Sequence, residues 1–306
     1  MRPLQPLDPP RLARGGYDRV GLQRTDAEWL TQAWRHARIL VISPAATTPV
    51  ERGEGAVRLA LRDPSTVDGA APRRLLGVVD GVPYFSVTVD EEDAGWASLR
   101  EVGGDIDDVQ AALLTSAIAL EQWHARHPRC PRCGAETSEA QAGWIRVCTN
   151  DGSEHFPRTD PAVIMLVHDG DDLCLLGRGP QWNEKRFSTL AGFVEPGESL
   201  EAAVAREVFE EVGISLADIH YIGSQPWPFP SSLMVGFVAH LDGDPELHLD
   251  PKEMAEAHWF TREEVQRAAD WVDRREPPDP HARIHGVPPR LSISRYLIDG
   301  WLARRW

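Results

Sequence analysis

Apolar runs of six or seven residues mark the first part of the chain. "ARILVI", "AVRLAL", "RLLGVV" and "PYFSVTV" are rich in β-branched and aromatic residues and are separated by Gly, Pro and Asp clusters, which is the pattern of short strands. The spacing then lengthens. From Asp107 to about Ala125, the residues Val109, Leu113, Ile118 and Leu120 recur at helical intervals behind an aspartate suited to cap them. Residues 1–125 are therefore expected to form an N-terminal α+β domain with no catalytic constellation, a structural or dimer-forming part of the protein.

The pattern is lost in "HPRCPRCGAETSEAQAGWIRVCTNDGSEHFPRTDP", a polar, Cys-containing stretch of ribbon type assigned to 126–158. It returns after Pro161. "AVIMLVHD" and "DLCLLGR" predict two strands joined by a turn, "IHYIGSQPW" and "SLMVGFVAHL" two more, and "EAHWF" a short fifth. Between them, Ser199 can cap a helix from Leu200 that Gly213 ends. Thr261 with Glu264 forms a capping box for "TREEVQRAADW". An amphipathic helix from about Leu291 to Trp306 closes the chain. Alternating strands and helices predict an α/β fold over 159–306, with helices packed on a mixed sheet. No internal repeat is visible.

Composition narrows the class. The 306 residues are 42% hydrophobic and 26% charged, with a formal net charge of −15, as in a soluble globular protein. That charge argues against a general nucleic-acid or membrane-surface binder. No apolar run approaches the ~20 residues that span a bilayer. The Pro- and Arg-rich start lacks an apolar core for a secretory signal and is read as a partly ordered arm. Cys130, Cys133, Cys148 and Cys174 do not form a disulfide framework, so a cytoplasmic location is expected.

The helix from Leu200 raises a chemical question. "GFVEPGESLEAAVAREVFEEVGI" holds six glutamates and one arginine. Glu207, Glu210 and Glu211 fall on one helical face, while Leu200, Val204 and Val208 line another. An acidic run is most often a solvated face. The alternative is a site for Mg²⁺ or Mn²⁺, which take oxygen ligands and would offset the repulsion. The spacing decides between the two. Gly192, Glu198, Arg206-Glu207, Glu210-Glu211 and Gly213, with Val208 and Ile214 as the apolar positions, resemble the box of the Nudix hydrolase superfamily. The resemblance implies a Nudix α/β/α sandwich, divalent-metal dependence, and hydrolysis of a nucleoside diphosphate linked to another group. Glu207, Glu210 and Glu211 would hold the metal, with Glu211 the favoured base. Arg206 is expected to point off the metal face and pair with Glu198.

Ten residues past the box, "SQPWPFPSS" packs three prolines into nine residues. It forms a stiff loop that presents Trp227 and Phe229, rings that could cover the core or stack on a heteroaromatic ring. The stretch is similar to the SQPWPFPxS signature of the NADH pyrophosphatase subfamily. "FPRTDPAVI", "AGF", "DPKE" and "SISRYLI" also look like landmarks of that subfamily. The likeness covers about 125–306. It implies cleavage of NAD(H) to NMN(H) and AMP by a homodimer, and related enzymes also remove the NAD cap from RNA 5′ ends. By the same resemblance, Glu253 joins the metal set and contacts substrate. Phe156 and Phe193 would sandwich the nicotinamide-side ring, and Trp227 and Ser294 would shape the nucleotide pocket. Another Nudix diphosphatase, acting on ADP-ribose or a dinucleoside polyphosphate, is the alternative, and it predicts loss of the Pro-Trp-Pro-Phe-Pro loop.

Cys130, Cys133 and Cys148 have the spacing of a structural zinc site, which closes with four ligands. The family often places a fourth Cys where this chain has Asp151. Either Asp151 completes the site on register, or His155 does, or the zinc has been lost.

Overall fold

The structure, a computed structural model, describes residues 8–306. Most of the N-terminal arm, residues 1–7, lies outside the described residues. The chain divides into two compact units, Arg14–Thr159 with Pro226–Ser232, and Asp160–Gln225 with Leu233–Trp306 and the initial segment that ends at Ala13.

The first unit opens with α1 (Ala27–Arg35) and β1 (Arg38–Ile42), then β2 (Thr47–Gly53) and β3 (Ala56–Leu59). It continues with β4 (Arg74–Val79), β5 (Val82–Thr88), β6 (Trp96–Ser98), α2 (Leu99–Val102) and α3 (Asp108–Arg126). The ribbon follows as β7 (Thr137–Ala140), β8 (Ile145–Cys148) and β9 (Glu154–His155). The four expected runs are β1, β3, β4 and β5. In one sheet, β1 lies parallel to β5 and β4 antiparallel to it. A second sheet has the order β3-β2-β6, and the ribbon has the order β7-β8-β9. The helix α3 forms as expected, and the Asp107 side chain accepts from the Gln110 amide at 2.8 Å. The pattern reading missed α1, β2, β6 and α2. Asp26 accepts from the Trp29 amide at 2.9 Å to cap α1, and Trp34 meets Phe85 edge to face at 5.3 Å. The strand β2, "TTPVERG", is too polar and too broken by Pro49 to show a period of two.

A buried polar network joins the N-terminal sheet and α3 to the ribbon. Arg74 on β4 donates to both carboxylate oxygens of Glu139, at 3.1 and 2.9 Å, and to Thr88 at 3.1 Å. It also pairs with Glu121 of α3. His124, one turn on, has Nε2 at 2.8 Å from the Gly143 carbonyl and Nδ1 at 2.9 Å from Arg146 Nη1. Nε2 therefore carries the proton and Nδ1 accepts.

Burial, and then the charge of Arg74, push the His124 imidazole down to about 4. Folded His124 is neutral where an unfolded histidine takes up a proton, so stability is lost as pH falls from about 6.5 to about 4, by up to ~3 kcal/mol. Thermal melts across that window should show the decline. In His124→Gln, which can still donate to Gly143, the slope should flatten by about one proton. An unchanged slope would remove His124 from the acid sensitivity.

The second unit comprises β10 (Asp160–His168), β11 (Leu173–Arg178), β12 (Leu190–Phe193), α4 (Leu200–Val212) and β13 (Ser215–Trp227). It ends with β14 (Ser232–Asp242), β15 (Glu256–Thr261), α5 (Arg262–Arg274) and α6 (Ile293–Leu302). Its sheet order is β13-β14-β10-β11-β15, with β12 paired to β10. Strand alternation sorts the core. Val163, Met165 and Val167 of β10 face a cluster with Ala203, Val204, Val208 and Val212 of α4. Ile164 and Leu166 face the other way, into a cluster with Val265 and Ala268 of α5 and Leu297, Ile298 and Trp301 of α6. The unit is thus the expected α/β/α sandwich. Both expected caps are present, Ser199 on α4 and the Thr261–Glu264 box on α5.

Candidate active site and zinc ribbon

The helix α4 is held by its apolar stripe, which leaves its other face to the glutamates. Ser199 Oγ accepts from the Ala202 amide at 3.1 Å, and Gly213 ends the helix at φ 74°. Glu207 and Glu211 are buried, while Glu210 is half exposed. Gly192 lies on β12 opposite Val163. A Cβ at Gly192 would stand 1.9 Å from the Glu207 carboxyl carbon, so a glycine is required there for Glu207 to lie against the backbone. That requirement is the signal in the motif's first glycine.

Arg206 departs from expectation. It grips Glu198 with Nε at 2.6 Å and Nη2 at 2.9 Å, as expected. Its Nη2 also donates to the Phe193 carbonyl at 3.0 Å, which ties the turn at Pro196-Gly197 to β12. But Nη1 reaches Glu207 at 2.9 Å and Glu210 at 2.8 Å. The reading that Arg206 points off the carboxylate face is corrected. A side chain this long, one turn before Glu210, spans from the loop to the acidic face. Hydrogen bonds from Arg206 hold the Glu198 carboxyl down at about 2.

Glu211 is the contrasting case. Its Oε2 is buried with no hydrogen-bond partner. Burial, then the charges of Glu207 and Glu253, push its carboxyl up to about 8. Glu253 follows the turn begun by Asp250, whose amide donates to the Glu211 carbonyl at 3.4 Å, so "DPKE" is tied to the end of α4. An unpaired buried carboxylate oxygen amid further carboxylates suits a hard divalent cation and is costly without one. Glu207, Glu210, Glu211 and Glu253 are of the donor type such an ion takes, although among the described residues only the ribbon brings three or more metal-ligating atoms within 4.8 Å of one another. Arg206 supplies positive charge to Glu207 and Glu210.

The candidate ring contacts are distributed. Phe193, at the end of β12, and Phe156, beyond β9, are 60% and 64% exposed and belong to different units. Trp227 is half-buried and meets Phe229 edge to face at 5.0 Å. Ser294 is buried at the start of α6. Its Oγ lies 2.8 Å from Ser188 Oγ and accepts from Thr189 Oγ1 at 2.8 Å and the Thr189 amide at 3.3 Å. Its hydroxyl braces the segment leading into β12, a role that spacing could not reveal.

In the ribbon, donor atoms of Cys130, Cys133, Cys148 and Asp151 all lie within 4.8 Å of one another. The Arg132 amide points at Cys130 Sγ (3.4 Å), and those of Asn150 and Asp151 at Cys148 Sγ (3.4 and 3.5 Å). The ribbon thus offers a site suited to a structural zinc. His155 is not in this set. Its Nε2 lies 3.2 Å from Ser153 Oγ, which also donates to Asp151 Oδ1 at 2.6 Å. Ser153 was not singled out in the sequence, yet it orients the Asp151 carboxylate. Cys174 is buried in the core of the second unit.

Three family models match consecutively. They are the NADH pyrophosphatase-like rudimentary NUDIX domain over 30–123, the NADH pyrophosphatase zinc ribbon domain over 125–156, and the NUDIX domain over 158–279. The first was legible in the sequence only as α+β, with no repeat visible, because the box occurs once, at Gly192–Ile214. The chain is 40% identical to the NAD-capped RNA hydrolase NudC of Mycobacterium bovis (strain BCG / Pasteur 1173P2), over 96% of this chain and 95% of that protein. It is 39% identical to the protein of the same description from Stutzerimonas stutzeri (strain A1501), over 75% and 77%. Among solved structures, a NUDIX hydrolase from Nitrosomonas europaea is 20% identical, covering 52% of this chain and 98% of that one, with a TM-score of 0.39. With its three matched segments in order and a relative 40% identical over 96% of its length, the chain belongs to the NADH pyrophosphatase family of Nudix hydrolases.

Proposed function

We propose that this protein hydrolyses the diphosphate of NAD(H) to give NMN(H) and AMP, and that it removes the NAD cap from RNA 5′ ends. The observation that carries the reading is the buried, unpaired Oε2 of Glu211 within the box carboxylates. The names of the full-length relatives support the substrate. Glu207, Glu210, Glu211 and Glu253 would hold Mg²⁺ or Mn²⁺, which would offset negative charge on the diphosphate and lower the pKa of water. Glu211 is the group that accepts the proton of the attacking water. Arg206 holds the loop through Glu198. Phe193, Phe156 and Trp227 contact the rings, and Glu253 also contacts substrate. Ser294 acts on the pocket by bracing Ser188 and Thr189. The protein works as a cytoplasmic homodimer with divisions near 125 and 158. No described helix is long and apolar enough to cross a membrane.

The test is product analysis after incubation with NADH, NAD⁺, ADP-ribose and NAD-capped RNA, with Mg²⁺ or Mn²⁺. NMN(H) and AMP from the dinucleotides, and a 5′-monophosphate RNA from the capped substrate, are expected. Cleavage of ADP-ribose with NADH untouched would overturn the reading. Light scattering should give twice the 34.0 kDa chain mass.

The ribbon holds one zinc through Cys130, Cys133, Cys148 and Asp151. Asp151→Ala should lower the zinc content of protein purified without chelator and lower its melting temperature, whereas His155→Ala should keep the metal. The opposite pattern would make His155 the ligand. Well under one zinc per wild-type chain would mean that the ribbon stands without it.

A further inference from the structure

Arg100 lies in α2, whose start is locked by reciprocal hydrogen bonding between Ser98 and Glu101. Its guanidinium carbon stands 3.8 Å from the centre of the Phe229 ring and 5.0 Å from that of Trp227. The two rings meet edge to face, with their planes at 72°. Arg100 makes no side-chain hydrogen bond or ion pair among the described residues. The chain has 47 acidic and 32 basic residues, so carboxylate partners are plentiful, yet this cation sits on ring faces instead. Gln122, on α3, donates from Nε2 to the carbonyl of Pro228 at 2.9 Å, the residue between the two rings. Within the loop, the Phe229 amide donates to the Trp227 carbonyl at 2.7 Å and closes a tight turn about Pro228. Both rings and the peptide between them are thus held by side chains of the N-terminal domain, a segment with no box of its own.

We propose that Arg100 and Gln122 are positioning residues, which fix the Pro-Trp-Pro-Phe-Pro loop so that Trp227 is already oriented to receive the heteroaromatic ring of a dinucleotide. The proposal rests on the reading of Trp227 as a ring contact. A ring held before binding loses less freedom on binding, so the gain falls on substrate affinity. It also gives the rudimentary domain a task in recognition, without any catalytic group.

The experiment measures kcat, KM for NADH and melting temperature for Arg100→Ala, Arg100→Lys, Gln122→Ala, Trp227→Ala and the Arg100→Ala/Trp227→Ala double variant. Protein labelled with 5-fluorotryptophan reports the ring directly, its Trp227 line identified by loss in Trp227→Phe. Arg100→Ala should raise KM about 3- to 30-fold, with kcat within about twofold and the Trp227 fluorine line shifted. Arg100→Lys, which keeps the cation, should recover most of that loss. Gln122→Ala should raise KM about 2- to 10-fold. The double variant should be no worse than Trp227→Ala, since both changes act through one ring. If Trp227→Ala raises KM while Arg100→Ala and Gln122→Ala do not, the clamp only packs the domain: the proposal falls and the reading of Trp227 stands. Additive losses in the double variant would also overturn it, by placing Arg100 in some other role. An unchanged KM in Trp227→Ala would remove the ring contact and the proposal together.

Discussion

Glu211→Gln should leave a folded protein whose turnover of NADH is about a thousandfold or more below wild type. The amide keeps the volume and planar shape of the side chain, so the packing of α4 on the sheet is untouched. What it removes is a negative charge in the position where burial and the neighbouring Glu207 and Glu253 make charge most costly. Without metal, the variant should therefore melt no lower than wild type at neutral and alkaline pH, because the folded protein no longer has to hold that carboxylate. Adding Mg²⁺ or Mn²⁺ should raise the melting temperature of wild type more than that of the variant. Turnover within tenfold of wild type would remove Glu211 from the chemistry. A steep loss of melting temperature would instead make it a packing residue. Glu210→Gln makes the comparison sharper. Glu210 is half exposed and salt-bridged to Arg206, so its loss should cost less activity.

Arg74→Ala is expected to have the largest effect on stability, far from any substrate. The guanidinium is buried and fully engaged by Glu139, Thr88 and Glu121. Removing it strands the buried Glu121 carboxylate and the half-buried one of Glu139, and breaking such a pair from one side costs about 3–5 kcal/mol. For a unit of this size that is a drop in melting temperature of roughly 6–20 °C. The aliphatic stem matters too. Gly143, at φ 88°, lies so close that a Cβ there would stand 2.5 Å from Arg74 Cγ. Arg74→Lys keeps the charge but cannot fork to Glu139 and Glu121 together, so it should fall between. Thermal melts followed by circular dichroism check this. A loss below about 1 kcal/mol in Arg74→Ala would mean that water enters and compensates the two glutamates.

These two sites differ in how far they could be read in advance. The box residues announce themselves because a helix periodicity and a set of metal-ligand types coincide in one segment. Gly192, Glu207, Glu210 and Glu211 need only local geometry to be placed on one face. The three cysteines with Asp151 are legible for the same reason, since the ribbon brings near neighbours in the chain together. Arg74, Glu121, Glu139 and Arg146 come from four separate elements, and nothing in the spacing of one points to another. Ser294 was assigned to the pocket by resemblance, and its packing against Ser188 and Thr189 appears only when α6 meets the segment before β12.

By itself the sequence determined the α/β class of the second unit, the capped helix with its acidic face and the ribbon, and its resemblance to the Nudix box implied the α/β/α sandwich and the family. The first three follow from a periodicity or a spacing within one continuous stretch, where the backbone dictates which side chains are neighbours. The tertiary structure alone decided which carboxylate is stranded, what Arg206 holds besides Glu198, and that Ser153 rather than the cysteine cluster engages His155. It alone showed that a loop known by its prolines and rings is gripped by Arg100 and Gln122. Charge, burial and hydrogen-bond partners depend on chain segments that are distant in sequence, and only their packing sets the local dielectric and the available partners.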